Sequence, residues 1–212
     1  LSRLVRSGHI ATIVLAPGDS TENDIFTEFV GSVGYPVFRG NETDVLDRYY
    51  QAAKHYRPAE VVRVTGDCPL IDPTIVDSVI ELFRESGADY ASNIAPPTFP
   101  DGLDVEVFSF AALEIAHRET AICYDREHGT PFFRKDSRFK IVNLTSAEEN
   151  SKERWTVDYP EDLVVIERIL NSFPSSMSFS WEEVMKLKRV SPELFLANER
   201  IQREFGLQTG PN

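Results

Sequence analysis

Cysteine is scarce in this sequence, and its scarcity limits the kinds of site the chain can build. The 212 residues include 2 cysteines, Cys68 and Cys123, which do not have the spacing of metal ligands. This excludes a cysteine zinc site and a disulfide scaffold. So few cysteines in an ordinary globular composition are typical of a reducing compartment, and we predict a cytoplasmic protein.

Positive charge and long apolar runs are also in short supply. Lys and Arg number 22 against 34 Asp and Glu, which gives a formal net charge of -12 and argues against a general nucleic-acid surface. A polyphosphate ligand would need a local basic pocket or a bound cation. No apolar run approaches the roughly 20 residues of a membrane span, and no signal-peptide pattern opens the chain, so we predict no membrane partner.

The length and hydrophobic content predict one domain over residues 1–212. A hydrophobic fraction of 42% in a chain of this size can bury a substantial core. The chain opens with Leu1 rather than Met, and residues 1–8 have the pattern of the last turns of an amphipathic helix closed by glycine. We therefore expect a further segment upstream.

The stretch from residue 61 to residue 72 organises the predicted fold. Residues 61–64 are mostly valine and predict a strand buried on both faces of a sheet. Asp67 follows the strand, and Asp72 with Pro73 begins a helix. Turns from strand to helix border the ligand crevice in open α/β sheets, which makes Asp67 a candidate ligand-binding carboxylate. The alternative is an Asp that hydrogen-bonds its own turn.

Strand and helix patterns alternate along the rest of the chain. Residues 10–15 predict a buried strand, residues 103–108 a half-exposed strand, and residues 181–188 and 192–205 two amphipathic helices. This order favours a three-layer α/β fold with a mostly parallel sheet. A further helix over residues 24–32 is predicted to turn inward Ile25, Phe26, Phe29 and Val30.

A second turn resembles the one that holds Asp67. Asp158 also follows a short apolar stretch and precedes a proline that begins a helix. Two such acids at the same edge of a sheet would repel each other without a cation. Mg²⁺ is commonly held by one or two carboxylates together with substrate phosphates, so the pair predicts a magnesium site.

Six motifs occur in order along the chain, at residues 38–49, 63–72, 87–93, 99–106, 126–131 and 154–162. They are similar to those of the cytidylyltransferase family, in particular its spore coat polysaccharide biosynthesis protein F branch. The resemblance implies a Rossmann-like, GT-A-like nucleotidyltransferase fold with a small dimerisation arm. It also implies the Mg²⁺-dependent transfer of CMP from CTP to a sugar, expected to be acidic, with release of pyrophosphate during surface or spore-coat polysaccharide biosynthesis.

The resemblance also implies roles for individual residues. Asp67 and Asp158 match the metal-binding aspartates, and Arg154 joins them as a catalytic residue. The positions expected near the nucleotide are Asp44, Arg48, Arg63 and Gly66. The positions expected near the sugar are Asp101, Gly102, Glu106, Glu127 and His128.

Several of these residues have a purely structural alternative. Arg63 and Arg154 are also consistent with ion pairs to surface acids. Glu106 is also consistent with the polar face of its strand, and His128 with a structural histidine.

One feature of the resembled family is missing from the sequence as given. Members begin with a strand and a loop rich in glycine, arginine and lysine that holds the triphosphate, and residues 1–8 instead match the helix after that loop. Either the sequence is shortened at its N-terminus, or the protein has lost this loop and with it its activity. In both cases we expect the chain to bind CTP weakly or not at all. The alternatives for function are a GT-A-like glycosyltransferase, which uses a ready-made nucleotide sugar, and a non-catalytic sugar- or nucleotide-binding protein.

We also predict a homodimer. A proline-rich arm and a nearby pair of phenylalanines provide apolar surface that one small domain leaves uncovered, and the resembled family dimerises through the corresponding region. The alternative is that these side chains close the edge of the protein's own sheet. They are Phe99, Leu103, Phe132 and Phe133.

Overall fold

The secondary structure alternates between helices and short strands for most of the chain. The computed structural model describes residues 1–175 and 178–203. The strands are β1 (Glu60–Arg63), β2 (Tyr90–Ser92), β3 (Glu106–Ser109) and β4 (Ile141–Asn143). The α-helices are α1 (Asp24–Ser32), α2 (Val45–Tyr56), α3 (Pro73–Ser86), α4 (Phe110–Glu119), α5 (Cys123–His128), α6 (Pro131–Lys135), α7 (Pro160–Asn171) and α8 (Trp181–Val190). Turns of 3-10 helix span Leu4–Arg6, Thr21–Asn23 and Pro192–Asn198.

The four strands form one sheet in the order β1-β3-β2-β4. Strands β1, β2 and β4 point the same way, while β3 pairs antiparallel with both of its neighbours. The predicted mostly parallel sheet is therefore confirmed, with one reversed strand. Because β3 runs backwards, its first residue Glu106 lies opposite Arg63, the last residue of β1, and Ser92, the last residue of β2. The chain that leads into β3 consequently reaches the edge where β1 and β2 end.

Apolar side chains pack on both faces of the sheet, which confirms the predicted three layers. Ala91 and Val107 belong to a core cluster that includes residues of α3 and α7. Tyr90 and Phe108, their neighbours along the strands, belong to a second cluster with residues of α2, α4 and α6. This division follows from the alternation of side chains along a strand.

Two strand predictions need correction for burial. Strand β1 was predicted to be buried on both faces, but its valines are only partly buried. The reason is that β1 is the edge strand of the sheet and has a neighbouring strand on one side only. Glu106, Val107 and Phe108 are buried rather than half-exposed because β3 lies between two strands.

The strand predicted over residues 10–15 is reduced to one paired position. Within the described residues, its ladder pairing consists of Leu15 opposite Val37, with a second parallel bridge joining Gly18 and Gly40. Residues 10–14 are partly buried or exposed, since apolar composition favours a strand but does not supply a neighbour for it to pair with.

Helix α1 lies where it was predicted, but its apolar face is mostly in solvent. Val30 is 1% exposed, whereas Ile25, Phe26 and Phe29 are 83%, 49% and 62% exposed. The inward orientation predicted for those three residues is therefore wrong. The helix packs mainly against the 3-10 turn Thr21–Asn23, and no layer of the described structure covers its outer face.

The residues expected to form a dimer surface contribute to the protein's own core instead. Phe99, Leu103 and Phe133 are 7%, 0% and 0% exposed, and Phe132 is partly buried against the second cluster. The proposed alternative, that these side chains close the fold itself, accounts for all four.

The C-terminal part of the chain partly follows the sequence prediction. Helix α8 confirms the helix predicted over residues 181–188. The helix predicted over residues 192–205 is a 3-10 helix at Pro192–Asn198, and residues 204 and 205 lie outside the described part. None of the helices in the described ranges is long and apolar enough to cross a membrane.

The contrast between Val30 and Phe29 gives a test of how α1 packs. Val30→Ala removes buried methyl groups, so we expect the free energy of unfolding to fall by about 2 kcal/mol. Phe29→Ala removes an exposed ring and should change it by less than about 0.5 kcal/mol. Urea denaturation of both variants, at a protein concentration where the chain is monomeric, measures the difference. An equal cost for the two would contradict the outward position of Phe29.

Candidate active site

The two predicted metal-binding acids lie on turns that are bonded together. The backbone N–H of Val157 donates to the carbonyl of Asp67 at 2.9 Å, and the hydroxyl of Thr156 donates to the same carbonyl at 3.3 Å. Asp67 and Asp158 therefore belong to neighbouring segments, at the edge where β1 ends. Gly66 is exposed, and a side chain there would meet no atom within 4 Å, so this turn is open to a ligand.

Arg154 is the charged centre of this region. Its side chain is 5% exposed and forms ion pairs with three carboxylates, those of Asp101 at 3.3 Å, Asp158 at 2.6 Å and Asp162 at 2.8 Å. Asp158 is 47% exposed on its side chain, so it keeps a face toward solvent. The structure thus brings three predicted residues, Asp101, Arg154 and Asp158, to one place beside the turn of Asp67.

Asp162 is a member of this cluster that the sequence prediction missed. Its carboxylate is fully buried and accepts hydrogen bonds from Arg154, from Asn198 and from the backbone N–H groups of Asp158 and Tyr159. Burial alone would raise its pKa, but these donors outweigh burial and hold the pKa at about 2. In the sequence it is an acid in the first turn of α7, a position that the helix dipole alone would explain.

Arg203 is a second arginine that the sequence prediction missed. It binds Asp104 through two bonds of 2.7 Å and lies 3.8 Å from Asp101. Burial raises the pKa of Asp101 and raises that of Asp104 to about 6, while the neighbouring arginines oppose both shifts. Both acids therefore protonate more readily than an aspartate in water.

Gly102 has a steric role beside the cluster. Its φ of +101° is unfavourable for residues with a side chain, and a Cβ there would lie 2.6 Å from the carbonyl carbon of Trp155. The flanking backbone bonds, Asp101 N–H to Glu153 and Trp155 N–H to Asp101, hold the two segments together. The close approach of the backbone at Trp155 therefore requires glycine at position 102, whether or not this residue also contacts a substrate.

Glu106, a predicted sugar contact, forms a buried ion pair. Its side chain is 1% exposed, and its oxygens bind Arg63 and the hydroxyl of Tyr90. Burial alone would raise the pKa of Glu106, but Arg63 and Tyr90 hold it below its usual range. The pair joins three strands, and the contact of Glu106 with a sugar stays a prediction. The Nε of Arg63 is buried and lacks a hydrogen-bond acceptor in the described part of the chain.

The other two predicted nucleotide contacts flank the start of α2. Asp44 caps the helix by accepting from the N–H of Asp47 at 2.9 Å and pairs with Arg126 at 2.6 Å. Arg48 donates to the carbonyls of Asn41 and Glu42, and its Nε is a second buried donor without an acceptor among the described residues. Arg126 was not singled out by the sequence.

Glu127 and His128 lie apart from the acidic cluster, at the end of α5. Both are exposed, and the imidazole of His128 packs on the ring of Tyr124 with centroids 4.3 Å apart. Gly129 then lies against Val45 and Tyr49 of α2. The structure therefore groups these two residues with the nucleotide-side segment rather than with Asp101.

A cavity of about 540 Å³ lies elsewhere, between α3, α8 and the chain after β4. Its wall includes Ile75, Phe99, Trp181 and Met185 and none of the predicted site residues. The candidate site is identified by its clustered charges rather than by this hollow.

The donor set in the cluster is consistent with a hard cation. No group of three or more Asp, Glu, His or Cys side chains in the described ranges is arranged to hold a metal ion. A pair of carboxylates on adjoining turns nevertheless fits Mg²⁺, which retains water ligands and also binds substrate phosphates. The residues present therefore fit a magnesium ion that is bound jointly by the protein, water and a substrate phosphate, and not an ion that is enclosed by protein ligands alone.

Comparison with known proteins identifies relatives over most of the chain. Residues 1–201 match the sequence model of a family described as Cytidylyltransferase. An uncharacterized protein of Methanocaldococcus jannaschii, MJ1063, is 37% identical over 76% of this chain and 67% of its own length. The spore coat polysaccharide biosynthesis protein SpsF of Bacillus subtilis is 26% identical over 85% of this chain and 76% of its own length.

Two solved structures are similar to this one. A cytidylyltransferase from Leptospira borgpetersenii matches with a TM-score of 0.87 and 30% identity over 96% of this chain and 84% of its own. A CMP:2-keto-3-deoxy-manno-octonic acid synthetase complexed with CTP matches with a TM-score of 0.60 and 11% identity over 80% of this chain and 85% of its own. The second likeness concerns the fold alone.

The low pKa of Asp162 gives a pH-dependent stability. A folded-state pKa of about 2 lies below the usual 3.8, so the unfolded chain binds more protons as pH falls, and the stabilisation present above pH 4 is lost. At pH 5 the wild type should have a larger free energy of unfolding than Asp162→Asn. We expect this difference to decrease by about 1 to 2 kcal/mol when the pH is lowered from 5 to 2.5. Urea denaturation across that range measures it.

Asp136 provides the matched control for that measurement. It also has a pKa of about 2, lowered first by its hydrogen bonds from Arg138, but this pair is at the surface. Added salt should weaken the pH-dependent effect of Asp136→Asn while leaving that of Asp162→Asn almost unchanged. Equal salt sensitivity in the two variants would contradict the burial of Asp162.

Proposed function

We propose that this chain, which belongs to the cytidylyltransferase family, transfers CMP from CTP to an acidic sugar and releases pyrophosphate. The observation that carries the proposal is the buried Arg154 with its three carboxylate partners, beside the turn of Asp67. Two partly exposed acids on adjoining turns, with one of them fixed by a buried arginine, are suited to holding the divalent cation that a triphosphate needs.

The reaction requires no covalent intermediate on the protein. An oxygen of the sugar attacks the α-phosphorus of CTP, the new P–O bond forms, and the bond to the β-phosphate breaks to release pyrophosphate. The proton of the sugar hydroxyl leaves to solvent or to a nearby carboxylate. The protein's contribution is to hold the two reactants in line and to stabilise charge on the phosphoryl oxygens.

Asp67 and Asp158 are the residues that would hold a magnesium ion. When bound, Mg²⁺ supplies positive charge against the phosphate oxygens during transfer. Asp158 is suited to this role because its carboxylate is half exposed while its other contact, Arg154, is fixed by burial. Arg154 keeps its own positive charge throughout, since burial lowers its pKa but the bonds to Asp162 and Asp158 outweigh burial and raise it.

The nucleotide side of the site is proposed to include Asp44, Arg48, Arg63 and Gly66. Support comes from two buried donors, the Nε atoms of Arg48 and Arg63, which have no acceptor in the described part of the chain. Buried donors of this kind are costly unless a ligand satisfies them. An anionic or carbonyl-bearing ligand would do so.

The sugar is proposed to be acidic and to enter a surface or spore-coat polysaccharide. Support for the polysaccharide role comes from the similarity to SpsF, a spore coat polysaccharide biosynthesis protein, and the acidic sugar is what the resemblance of the sequence motifs implies. Asp101, Gly102, Glu127 and His128 are the contacts proposed for it. Glu106 is proposed with them, although its buried carboxylate already binds Arg63.

Replacing the two proposed metal ligands tests the function. Asp67→Asn and Asp158→Asn keep the side-chain shape but remove the charge, so we expect Mg²⁺-dependent pyrophosphate release from CTP and an acidic sugar to fall at least a hundredfold. The melting temperature should hold or rise in Asp67→Asn, because removing one of two neighbouring acids relieves repulsion. It should fall in Asp158→Asn, because the buried Arg154 loses one of its three carboxylate partners. Pyrophosphate release and thermal melting with and without Mg²⁺ measure both effects.

Asp72 is the matched control. Its buried carboxylate accepts from the N–H and hydroxyl of Thr74 and from the N–H of Trp181, which is a structural role. Asp72→Asn should therefore lower the melting temperature and retain activity. Activity within a few-fold of wild type in Asp67→Asn or Asp158→Asn would remove that residue from the site. Turnover of a nucleotide sugar without CTP would favour the glycosyltransferase alternative, and binding without turnover would favour a binding protein.

We also propose that the chain assembles as a homodimer. Support now rests on exposed apolar side chains, such as Ile25 and Phe29 of α1, because the arm first considered is buried. Analytical ultracentrifugation should give about twice the chain mass of 24.0 kDa at micromolar concentration. A species of one chain mass would contradict the dimer.

A further inference from the structure

Asp162 makes more bonds than a helix needs at its first turn. One oxygen, Oδ1, accepts from Arg154 Nε at 2.9 Å and from Asn198 Nδ2 at 2.8 Å. The other, Oδ2, accepts from Arg154 Nη2 at 2.8 Å and from the backbone N–H groups of Asp158 and Tyr159 at 3.1 and 3.0 Å. Five donors converge on a carboxylate that is 0% exposed.

Helix α8 shows how little an N-terminal acid needs to do. There the carboxylate of Glu183, also the third residue of its helix, accepts from the backbone N–H of Ser180 at 2.7 Å, and the Ser180 hydroxyl accepts from the backbone N–H of Glu183 at 3.4 Å. Glu183 is exposed and makes no ion pair within the described ranges. The additional bonds of Asp162, to a buried guanidinium and to Asn198, are therefore not explained by capping.

These bonds act on Asp158 in two ways. The backbone of Asp158 is fixed because its N–H donates to Asp162 Oδ2. The side chain of Asp158 is fixed because its Oδ2 accepts, at 2.6 Å, from the same Arg154 Nη2 that donates to Asp162. Asp162 thus restrains both the main chain and the carboxylate of a residue that has 47% of its side chain in solvent.

We infer that Asp162, held by Asn198, is a positioning residue that sets the orientation of Asp158 and of the Arg154 guanidinium for cation and phosphate binding. The inference rests on the proposed function, since it takes Asp158 as a ligand of the cation. Asp162 itself touches neither substrate nor cation. Partners of this kind orient a metal ligand before the ion arrives, and their loss commonly weakens metal affinity by about 10- to 100-fold.

The test compares Asp162→Asn with Glu183→Gln. Each replacement removes one negative charge at the third position of a helix, but only the first loosens Arg154 and Asp158. Titration with Mn²⁺, followed by water-proton relaxation in the protein with and without CTP, measures cation affinity directly. We expect Mn²⁺ affinity about tenfold weaker in Asp162→Asn and unchanged in Glu183→Gln.

Kinetics separate positioning from a loss of fold. In Asp162→Asn the Mg²⁺ concentration for half-maximal pyrophosphate release should rise about tenfold, while kcat at saturating Mg²⁺ falls by less. A residue that only stabilises α7 would lower the melting temperature and leave the Mg²⁺ dependence unchanged. If Asp162→Asn does not fold, Asn198→Ala is the second variant, because it keeps the charge but removes one restraint, and its Mn²⁺ affinity should fall about threefold.

Asp158→Asn, measured beside these variants, distinguishes the two ways of failing. Suppose that the wild type binds Mn²⁺ and Asp158→Asn does not. If the Mn²⁺ affinity of Asp162→Asn is then within twofold of wild type, the positioning role is overturned and the proposed function stands. Where Asp162→Asn does not fold, the same comparison is made with Asn198→Ala. If Asp158→Asn binds Mn²⁺ as the wild type does, or the wild type binds none, Asp158 is not a metal ligand. The inference then falls together with that part of the proposed function.

Discussion

A buried guanidinium is the constraint on which the candidate site depends. Taking the charge of Arg154 out of water costs several kcal/mol, and only well-placed opposite charges offset that cost. Asp101, Asp158 and Asp162 provide them, and they come from the chain before β3, the turn before α7 and the first turn of α7. The arginine therefore fixes three segments relative to one another, and the neighbouring turn of Asp67 is bonded to the same region.

The reversed strand β3 is what makes this convergence possible. In a wholly parallel sheet, the segment before a strand begins at the edge opposite to the one where its neighbours end. Because β3 is antiparallel to β1 and β2, Asp101 and Asp104 arrive at the edge where β1 ends and Asp67 follows. The same reversal pairs Glu106 with Arg63, which gives a second ion pair at the end of β1.

The pattern of residues along the chain predicted those features that are determined by residues close together in the sequence. The acids at strand ends, the proline-started helices and the three layers follow from short motifs, and they are found. Phe29 shows where pattern stops, because helical periodicity identifies an apolar face but not the layer that would cover it. Asp162 and Arg203 show the same limit for charge, since their partners are chosen by the fold and their sequence contexts are ordinary.

The pairing of Arg203 with Asp104 also has a consequence for the order in which the protein is made. The two residues are separated by 99 positions, which a ribosome at 5 to 20 residues per second covers in about 5 to 20 s. During that interval Asp104 lacks Arg203, although Arg154, the ion-pair partner of Asp101, is already in the chain. The repulsion between Asp101 and Asp104 is therefore only partly offset until one of the last described residues has been added.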